Sequence, residues 1–214
     1  MTTHNFQIYL NQLIDNLRTK GITDERVLNA MKKVPRHIFV PKEYQNQAYH
    51  DYPVPIEEGQ TISQPYTVAF MTQLLEVKPG EKILEIGTGS GYQAAILAQL
   101  GAEVYTVERI KSLFESATQR LKTLGYDNIH TFFADGTMGL PQFAPFDKII
   151  VTAAGELQQN LLEQLKINGI LVAPIDDNLW GSTMYKIIKL DSDSYRTFKY
   201  PGFSFVPLLK GTVE

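Results

Sequence analysis

The segment Lys82–Tyr92 reads KILEIGTGSGY, an apolar run followed by glycines at Gly87, Gly89 and Gly91. Glycine lets a backbone turn sharply and lie against a ligand, because a Cβ there would collide with it. Such a turn alone is equally an ordinary strand-to-helix connection. Its spacing narrows the choice. A dinucleotide pyrophosphate favours GxGxxG, with the phosphates meeting a helix N-terminus. Here the spacing is GxGxG, with Glu85 just ahead of it. An acid in that place repels pyrophosphate and suits the cationic sulfonium and amino group of S-adenosylmethionine.

Two more acids recur at matching places. Glu108 closes the run EVYTVE, and Asp135-Gly136 follows HTFFA. If each run is a strand of one parallel sheet, both carboxylates emerge at its carboxyl edge beside the glycine turn. Glu108 can then hold a ribose diol through two hydrogen bonds, and Asp135 can accept from an adenine amino group. Singly, a solvated strand-end acid and an Asp-Gly turn explain them as well. Three consecutive acidic strand ends favour the cofactor site. A fourth run ends in TAAG, Thr152–Gly155, without the Asn/Asp-Pro-Pro-aromatic segment of amino-directed nucleic-acid methylases. GQTISQPY, Gly59–Tyr66, is the remaining polar cluster, with hydroxyls on Thr61 and Ser63 and amides on Gln60 and Gln64. By residue type alone it reads as a helix cap, Ser63 accepting from backbone N–H groups.

The elements that must position these groups follow from periodicity. Phe6, Tyr9, Leu10, Leu13, Ile14 and Leu17 share a helical face that Gly21 is placed to end. Thr23 is the expected N-cap of a second helix carrying Val27, Leu28 and Met31, stopped by Pro35. VPRHIFVP (Val34–Pro41) reads as extended or irregular. Tyr44 to Pro65 reads as a long ordered loop, a length that is often functional. A helix starts near Thr67. Strands are then expected at Lys82–Ile86, Glu103–Glu108, Ile129–Ala134, Lys148–Thr152 and Ile170–Ile175, the last after an Asn168-Gly169 turn. Helices alternate with them at Gln93–Gln99, Ile110–Leu124 and around Leu157–Leu165. Met184–Leu190 and Tyr195–Tyr200 flank DSDS as an antiparallel hairpin. The expected fold class is α/β, a Rossmann-like, doubly wound, mostly parallel sheet with an N-terminal helical extension and a C-terminal antiparallel hairpin.

A length of 214 residues suffices for one domain with a sizeable core. It divides into 1–75 (helices and active-site loop), 76–180 (cofactor core) and 181–214 (hairpin and enclosing tail). A formal net charge of −3 argues against a general grip on nucleic acid. No apolar run has membrane-span length, and MTTHNFQIYL lacks a signal-peptide pattern. Cysteine is absent, which removes disulfides, thiolate metal sites and cysteine nucleophiles and fits a cytoplasmic location. The histidines, at 4, 37, 50 and 130, include no helical metal pair, so no metal is expected. Structural hydrogen bonding is the favoured role for His37 and His50, and packing of core or lid for Trp180 and Met184.

VPRHIFVP, GQTISQPY, ILEIGTGSGYQAA (Ile83–Ala95), VYTVERI (Val104–Ile110), LGYDNI (Leu124–Ile129), FDKIIVTAA and FVPL (Phe205–Leu208) together resemble the protein-L-isoaspartate O-methyltransferase family. The likeness runs in order from about Val34 to Leu208. The TIS segment and FVPL are far more specific to that family than the glycine turn. It implies methyl transfer from S-adenosylmethionine, leaving S-adenosylhomocysteine, to the free carboxylate of L-isoaspartyl residues in damaged proteins, with repair through a succinimide. It further implies a monomer. Ser63 then corresponds to the active-site serine, and Thr61, Ser63, Phe205 and Val206 face the substrate. Gln60, Thr61, Ile62, Glu85, Glu108, Asp135 and Gly136 fall at cofactor positions, joining Gly87, Thr88, Gly89 and Gly91 of the turn. Three departures stand out: Ala134 where the family usually has glycine before Asp135, Ser204 where a basic residue often precedes FVPL, and Glu57-Glu58 in place of neutral residues.

Carboxyl methylation asks little of a base. A side-chain carboxyl has a pKa of roughly 3.9 and is already ionised at pH 7. The protein must desolvate and align the acceptor, which makes Ser63 a hydrogen-bonding positioner and not a nucleophile. No GxSxG elbow surrounds it. The alternatives are an S-adenosylmethionine-dependent methyltransferase with another protein or small-molecule acceptor, an accessory protein that binds the cofactor without turnover, and a nicotinamide dehydrogenase. GxGxG with Glu85 speaks against the last.

Overall fold

The computed structural model describes residues 3–176 and 181–214. Trp180 lies outside the described residues. Helix α1 (Thr3–Thr19) buries Leu10, Leu13, Ile14 and Leu17 on one face. It closes at Gly21, whose φ of +92° lets Ile22 N–H reach back to the Leu17 carbonyl. Helix α2 (Glu25–Lys33) is capped by Asp24, which accepts from Arg26 N at 2.9 Å, and not by Thr23. Thr23 N–H is instead taken by the Gln73 side chain. The next thirty residues are more ordered than their periodicity suggests. They hold short 3-10 turns at Arg36–Phe39 and Lys42–Gln47, then a two-stranded antiparallel ribbon, β1 (Val54–Pro55) with β2 (Thr61–Ile62). Helix α3 (Pro65–Leu75) follows.

The core alternates strands and helices in chain order: β3 (Lys82–Ile86), α4 (Tyr92–Gln99), β4 (Glu103–Glu108), α5 (Lys111–Thr123), β5 (Ile129–Phe133), β6 (Phe146–Val151), α6 (Gln159–Glu163), β7 (Leu165–Asp176), β8 (Ser182–Lys189) and β9 (Tyr195–Phe203). They form one seven-stranded sheet, ordered β5-β4-β3-β6-β7-β8-β9. Strands β3 to β7 run parallel, while β8 and β9 add an antiparallel hairpin at the edge. The expected α/β architecture is the one observed.

Ile83 and Leu84 are both fully buried, on opposite faces of β3. A parallel strand covered on both sides reads as a continuous apolar run for this reason. One face packs under α3 and α4 through Met71, Leu75, Ala94 and Leu97; the other packs against Leu161 and Leu162 of α6. Met184 is wholly buried in the first of these clusters.

Two boundaries differ from expectation. α6 is only five residues long, and β7 begins at Leu165 to pair with Phe146. Asn168-Gly169 therefore lies inside β7 where the register shifts, Asn168 taking a φ of +65°. From β3 the chain runs outward to β4 and β5, then crosses to β6 on the far side of β3. That crossing opens a crevice at the carboxyl ends of β3 and β6, where ligands of open α/β sheets bind.

Candidate active site

Two cavities meet at this crevice. The first holds about 1020 Å³ of empty space, part of it open to solvent. Gln60–Ser63, the glycine turn, Val107, Glu108, Ile110, Leu113 and the tail Val206–Leu209 enclose it. The second lies alongside, between Gln64, Tyr66 and Phe70 and the segment Lys199–Val206. Thr61, Ser63, Thr152 and Val206 line both, so they mark the junction.

Ser63 sits at that junction and does not cap α3. Pro65 occupies the first position of the helix and has no N–H to satisfy. The Tyr66 N–H goes to Asp51 Oδ1 at 2.8 Å, from a neighbouring loop. Among the described residues the Ser63 hydroxyl has no hydrogen-bond partner. Its carbonyl accepts from Arg36 Nη2 at 2.7 Å.

Glu108 is only 5% exposed yet lines the first cavity, so its carboxylate is a shielded acceptor. Its Oε2 accepts from Gly89 N at 2.8 Å, and its Oε1 from Arg109 N at 2.8 Å and Ile110 N at 3.0 Å. A carboxylate offers roughly four acceptor positions. Three are committed to backbone, which leaves one on Oε2 for a ribose hydroxyl. The two diol bonds expected of Glu108 would have to share that remaining capacity.

The glycines divide their work. Gly87 (φ +96°) would place a Cβ 2.4 Å from Thr152 Oγ1, and Gly89 (φ +50°) lies open at the cavity wall. Gly91 is not part of the lining: it precedes α4, where a Cβ would press on Leu121 at 3.2 Å. Thr88 does line the cavity, and its Oγ1 is 2.7 Å from Thr106 Oγ1.

Glu85 departs from the charge argument. It is fully buried between β3 and β4, beside Thr106 in register, and does not line either cavity. Thr106 Oγ1 donates to its Oε2 at 2.5 Å, while Oε1 is buried without a partner among the described residues. Burial pushes its carboxyl up to about 8, a rise that the Thr106 hydroxyl offsets in part and the Glu108 charge reinforces. That rise favours the neutral acid over the carboxylate, against the charge argument made from its place before the glycine turn.

Asp135 also differs. Its Oδ1 accepts from Thr137 N and Oγ1, and its Oδ2 from Gly211 N at 2.7 Å, so it ties the tail to the turn after β5. Desolvation raises its pKa, but the bonds from Gly211 and Thr137 outweigh that and hold the carboxyl below its usual range. Gly136, not Asp135, lines the cavity. A Cβ on Gly136 would meet Ile86 Cγ2 at 2.5 Å.

Phe205 lines the second cavity and Val206 both. Ser204 is there too, and Lys199 of β9 is the charged lining residue among those described. Its Nζ lies 5.0 Å from the Tyr185 ring centroid. Glu57 and Glu58 are exposed, Glu58 accepting from the Ser112 hydroxyl. His37 pairs with Tyr49 and stacks on Phe6, and His50 pairs with Tyr52, both structural contacts away from the cavities.

Sequence reasoning named Thr152 only as the start of TAAG and gave it no role, and it did not single out Lys199 or Arg36. Thr152 ends a strand beside the glycine turn, and its place at a fourth strand end was the available signal. The other two act across distances that local pattern does not encode.

Known proteins resemble this chain along most of its length. Residues 9–213 match the family described as Protein-L-isoaspartate(D-aspartate) O-methyltransferase. A protein-L-isoaspartate O-methyltransferase of Flavobacterium psychrophilum is 51% identical over 201 residues, covering 94% of this chain and 93% of that one. One from Dictyoglomus thermophilum is 51% identical over 198 residues, covering 92% and 89%. Among solved structures, one described as a protein-L-isoaspartate O-methyltransferase superposes with a TM-score of 0.84 at 28% identity, covering 92% of this chain and 65% of that longer one. Another, from Plasmodium falciparum and in complex with S-adenosyl-L-homocysteine, gives 0.82 at 29% identity, covering 93% and 97%.

Proposed function

The chain belongs to the Protein-L-isoaspartate(D-aspartate) O-methyltransferase family, and from that premise we propose that it methylates the free carboxylate of L-isoaspartyl residues in damaged proteins, with S-adenosylmethionine as donor. Loss of methanol from the ester gives a succinimide, which reopens in part to normal aspartate. The observation that carries this reading is the junction: Ser63, with an uncommitted hydroxyl, stands where the cofactor-sized cavity opens into the peptide-sized one.

The first cavity fits the cofactor. Glu108 offers a shielded acceptor for ribose, Gly87 and Gly89 leave backbone free of side chains, and Ile110, Leu113 and Leu209 supply apolar walls for an adenine. Thr88, Gly136 and the stretch Gln60–Ile62 also line it. S-adenosylmethionine brings a methyl group already activated on a cationic sulfonium. The chain has to exclude water and orient the acceptor. Ser63 donates a hydrogen bond to one carboxylate oxygen, Thr61 and Thr152 flank it, and Phe205 and Val206 close the outer side. We read the 214 residues as one catalytic unit, a cytoplasmic monomer with protein and not nucleic acid as acceptor; the net charge of −3 supports the choice of acceptor, and the lack of cysteine fits the cytoplasm.

The test is label transfer from S-adenosylmethionine to an isoaspartyl peptide and to its normal-aspartyl twin. Base-labile label on the first alone is expected; equal or absent labelling of the two would overturn the acceptor assignment. Ser63→Ala removes one hydrogen bond to a charged group and is expected to lower kcat by roughly 10- to 100-fold with cofactor affinity kept. Loss of cofactor binding with normal single-turnover chemistry would refute the positioning role. Lys199→Ala is expected to raise KM only about two- to fivefold, and only for peptides with an acidic residue near the isoaspartate, since exposed charge pairs are weak. The effect should vanish at high salt. An equal change for neutral peptides would assign Lys199 to packing instead.

A further inference from the structure

Arg36 is wholly buried, yet its guanidinium meets no carboxylate among the described residues. Nε donates to the Ala48 carbonyl and Nη2 to the Ser63 carbonyl, both at 2.7 Å, while Nη1 is buried without a partner among the described residues. The guanidinium carbon lies 4.9 Å from the centroid of the Tyr92 ring, and Phe39 packs edge-on against that ring at 5.4 Å. Burial lowers the pKa to about 10, with Tyr92, Tyr49 and Asp51 opposing the fall, so the group stays charged at neutral pH.

A buried cation with only neutral partners is a poor way to stabilise a fold, because its desolvation is not repaid by an ion pair. An apolar side chain would avoid that cost but would take these donors away from the Ala48 and Ser63 carbonyls. What the guanidinium does, and an apolar side chain does not, is grip three separate pieces of chain at fixed angles. Those pieces are the loop carbonyl of Ala48, the main chain of Ser63, and the first residue of α4 directly after the glycine turn.

We propose that Arg36 is a positioning residue: its guanidinium locks the Ser63 main chain and the Tyr92 ring into one frame, and so fixes the acceptor loop relative to the cofactor turn. The proposal rests on the assignment of Ser63 as the acceptor positioner. Methyl transfer needs near-linear alignment at short range, so slack between these two segments costs rate more than it costs binding. Lysine keeps the charge but has no fork to hold two carbonyls and a ring at once. Methionine keeps bulk and neither function.

The experiment uses Arg36→Lys and Arg36→Met in the full chain. It measures kcat and KM for an isoaspartyl peptide, affinity for S-adenosylhomocysteine by calorimetry, thermal stability, and amide hydrogen exchange over residues 60–67 against β3. Arg36→Met is expected to lose at least about 10-fold in kcat, with peptide KM and S-adenosylhomocysteine affinity each within about threefold, and Arg36→Lys to recover part of the loss. Exchange at 61–63 should quicken in both while β3 stays protected. If Arg36→Met does not fold, a drop in kcat in Arg36→Lys at unchanged melting temperature supports the proposal. A kcat within twofold of wild type in the folded variants, or a loss of S-adenosylhomocysteine affinity parallel to the loss of rate, overturns it. Should the wild-type chain methylate no isoaspartyl peptide, the acceptor assignment falls, and the exchange comparison still decides whether Arg36 locks the loop.

Discussion

Glu108→Gln is expected to weaken S-adenosylmethionine binding by about 100-fold or more, close to 3 kcal/mol, while the protein remains folded. The substitution keeps the shape of the side chain and changes the chemistry of one atom. Both carboxylate oxygens accept backbone N–H groups, Oε2 from Gly89 and Oε1 from Arg109 and Ile110. An amide nitrogen cannot accept, so either orientation sets a donor against a donor. If it faces Gly89, the glycine turn loses its tether and the ribose loses its acceptor together. If it faces Arg109 and Ile110, the entry to α5 loosens, and with it Ile110 and Leu113 on the adenine side of the cavity. Glu108 itself is only 5% exposed, which leaves little solvent to compensate. Calorimetry with S-adenosylhomocysteine reads the affinity, and a melting curve taken alongside reports the fold. An affinity within tenfold of wild type in a folded Glu108→Gln protein would remove Glu108 from the ribose role.

That argument depends on geometry which the sequence held only in part. The run ILEI and its partners announced strands buried on both faces, and Ile83 and Leu84 are so buried. In α5 the residues at helical spacing, Leu113, Ala117 and Leu121, are the ones buried. These signals are periodic and local, so they survive in a bare string of residues. The glycine turn was legible because each φ it needs is costly for other residues. Other features have no such signature. The two-residue strands Val54–Pro55 and Thr61–Ile62 are too short to show alternation, so the ribbon beneath the Ser63 loop read as loop. The cap of α3 comes from Asp51, fifteen residues ahead of Tyr66, and capping rules look only at immediate neighbours. Arg36 reaches Ser63 across 27 residues. An acid on a strand buried from both sides has no polar face to mark its direction, which is why Glu85 was read as facing the cofactor.

The buried position of Glu85 carries the other large expected effect, on stability as a function of pH. Its folded-state pKa is about 8 against 4.5 for the ordinary group. Below about 4.5 the carboxyl is protonated in both folded and unfolded chains, and pH has no leverage through it. Between 4.5 and 8 the unfolded chain releases this proton while the folded chain keeps it, so stability falls steadily as pH rises. Above about 8 the folded form ionises as well and the fall levels off. At about 1.4 kcal/mol per tenfold difference in proton affinity, the ceiling on this loss is roughly 5 kcal/mol, and relaxation around the ion will reduce it. Glu85→Gln mimics the neutral acid at every pH. It can still accept from Thr106, and its NH₂ occupies the place where Oε1 already has no partner. The variant should match the wild type in denaturant unfolding near pH 5 and exceed it by about 2 kcal/mol or more near pH 8.5. Parallel stability curves across that range would show that Glu85 is ionised in the native state. The same protein separates two ideas about the cofactor. If the acid acts as a buried neutral group linking β3 to β4, Glu85→Gln leaves S-adenosylmethionine affinity within about threefold, because no charge has been taken from the cavity. A loss of about 50-fold or more in a fully folded variant would mean that the carboxylate reaches the sulfonium or amino group, as its place ahead of the glycine turn first suggested.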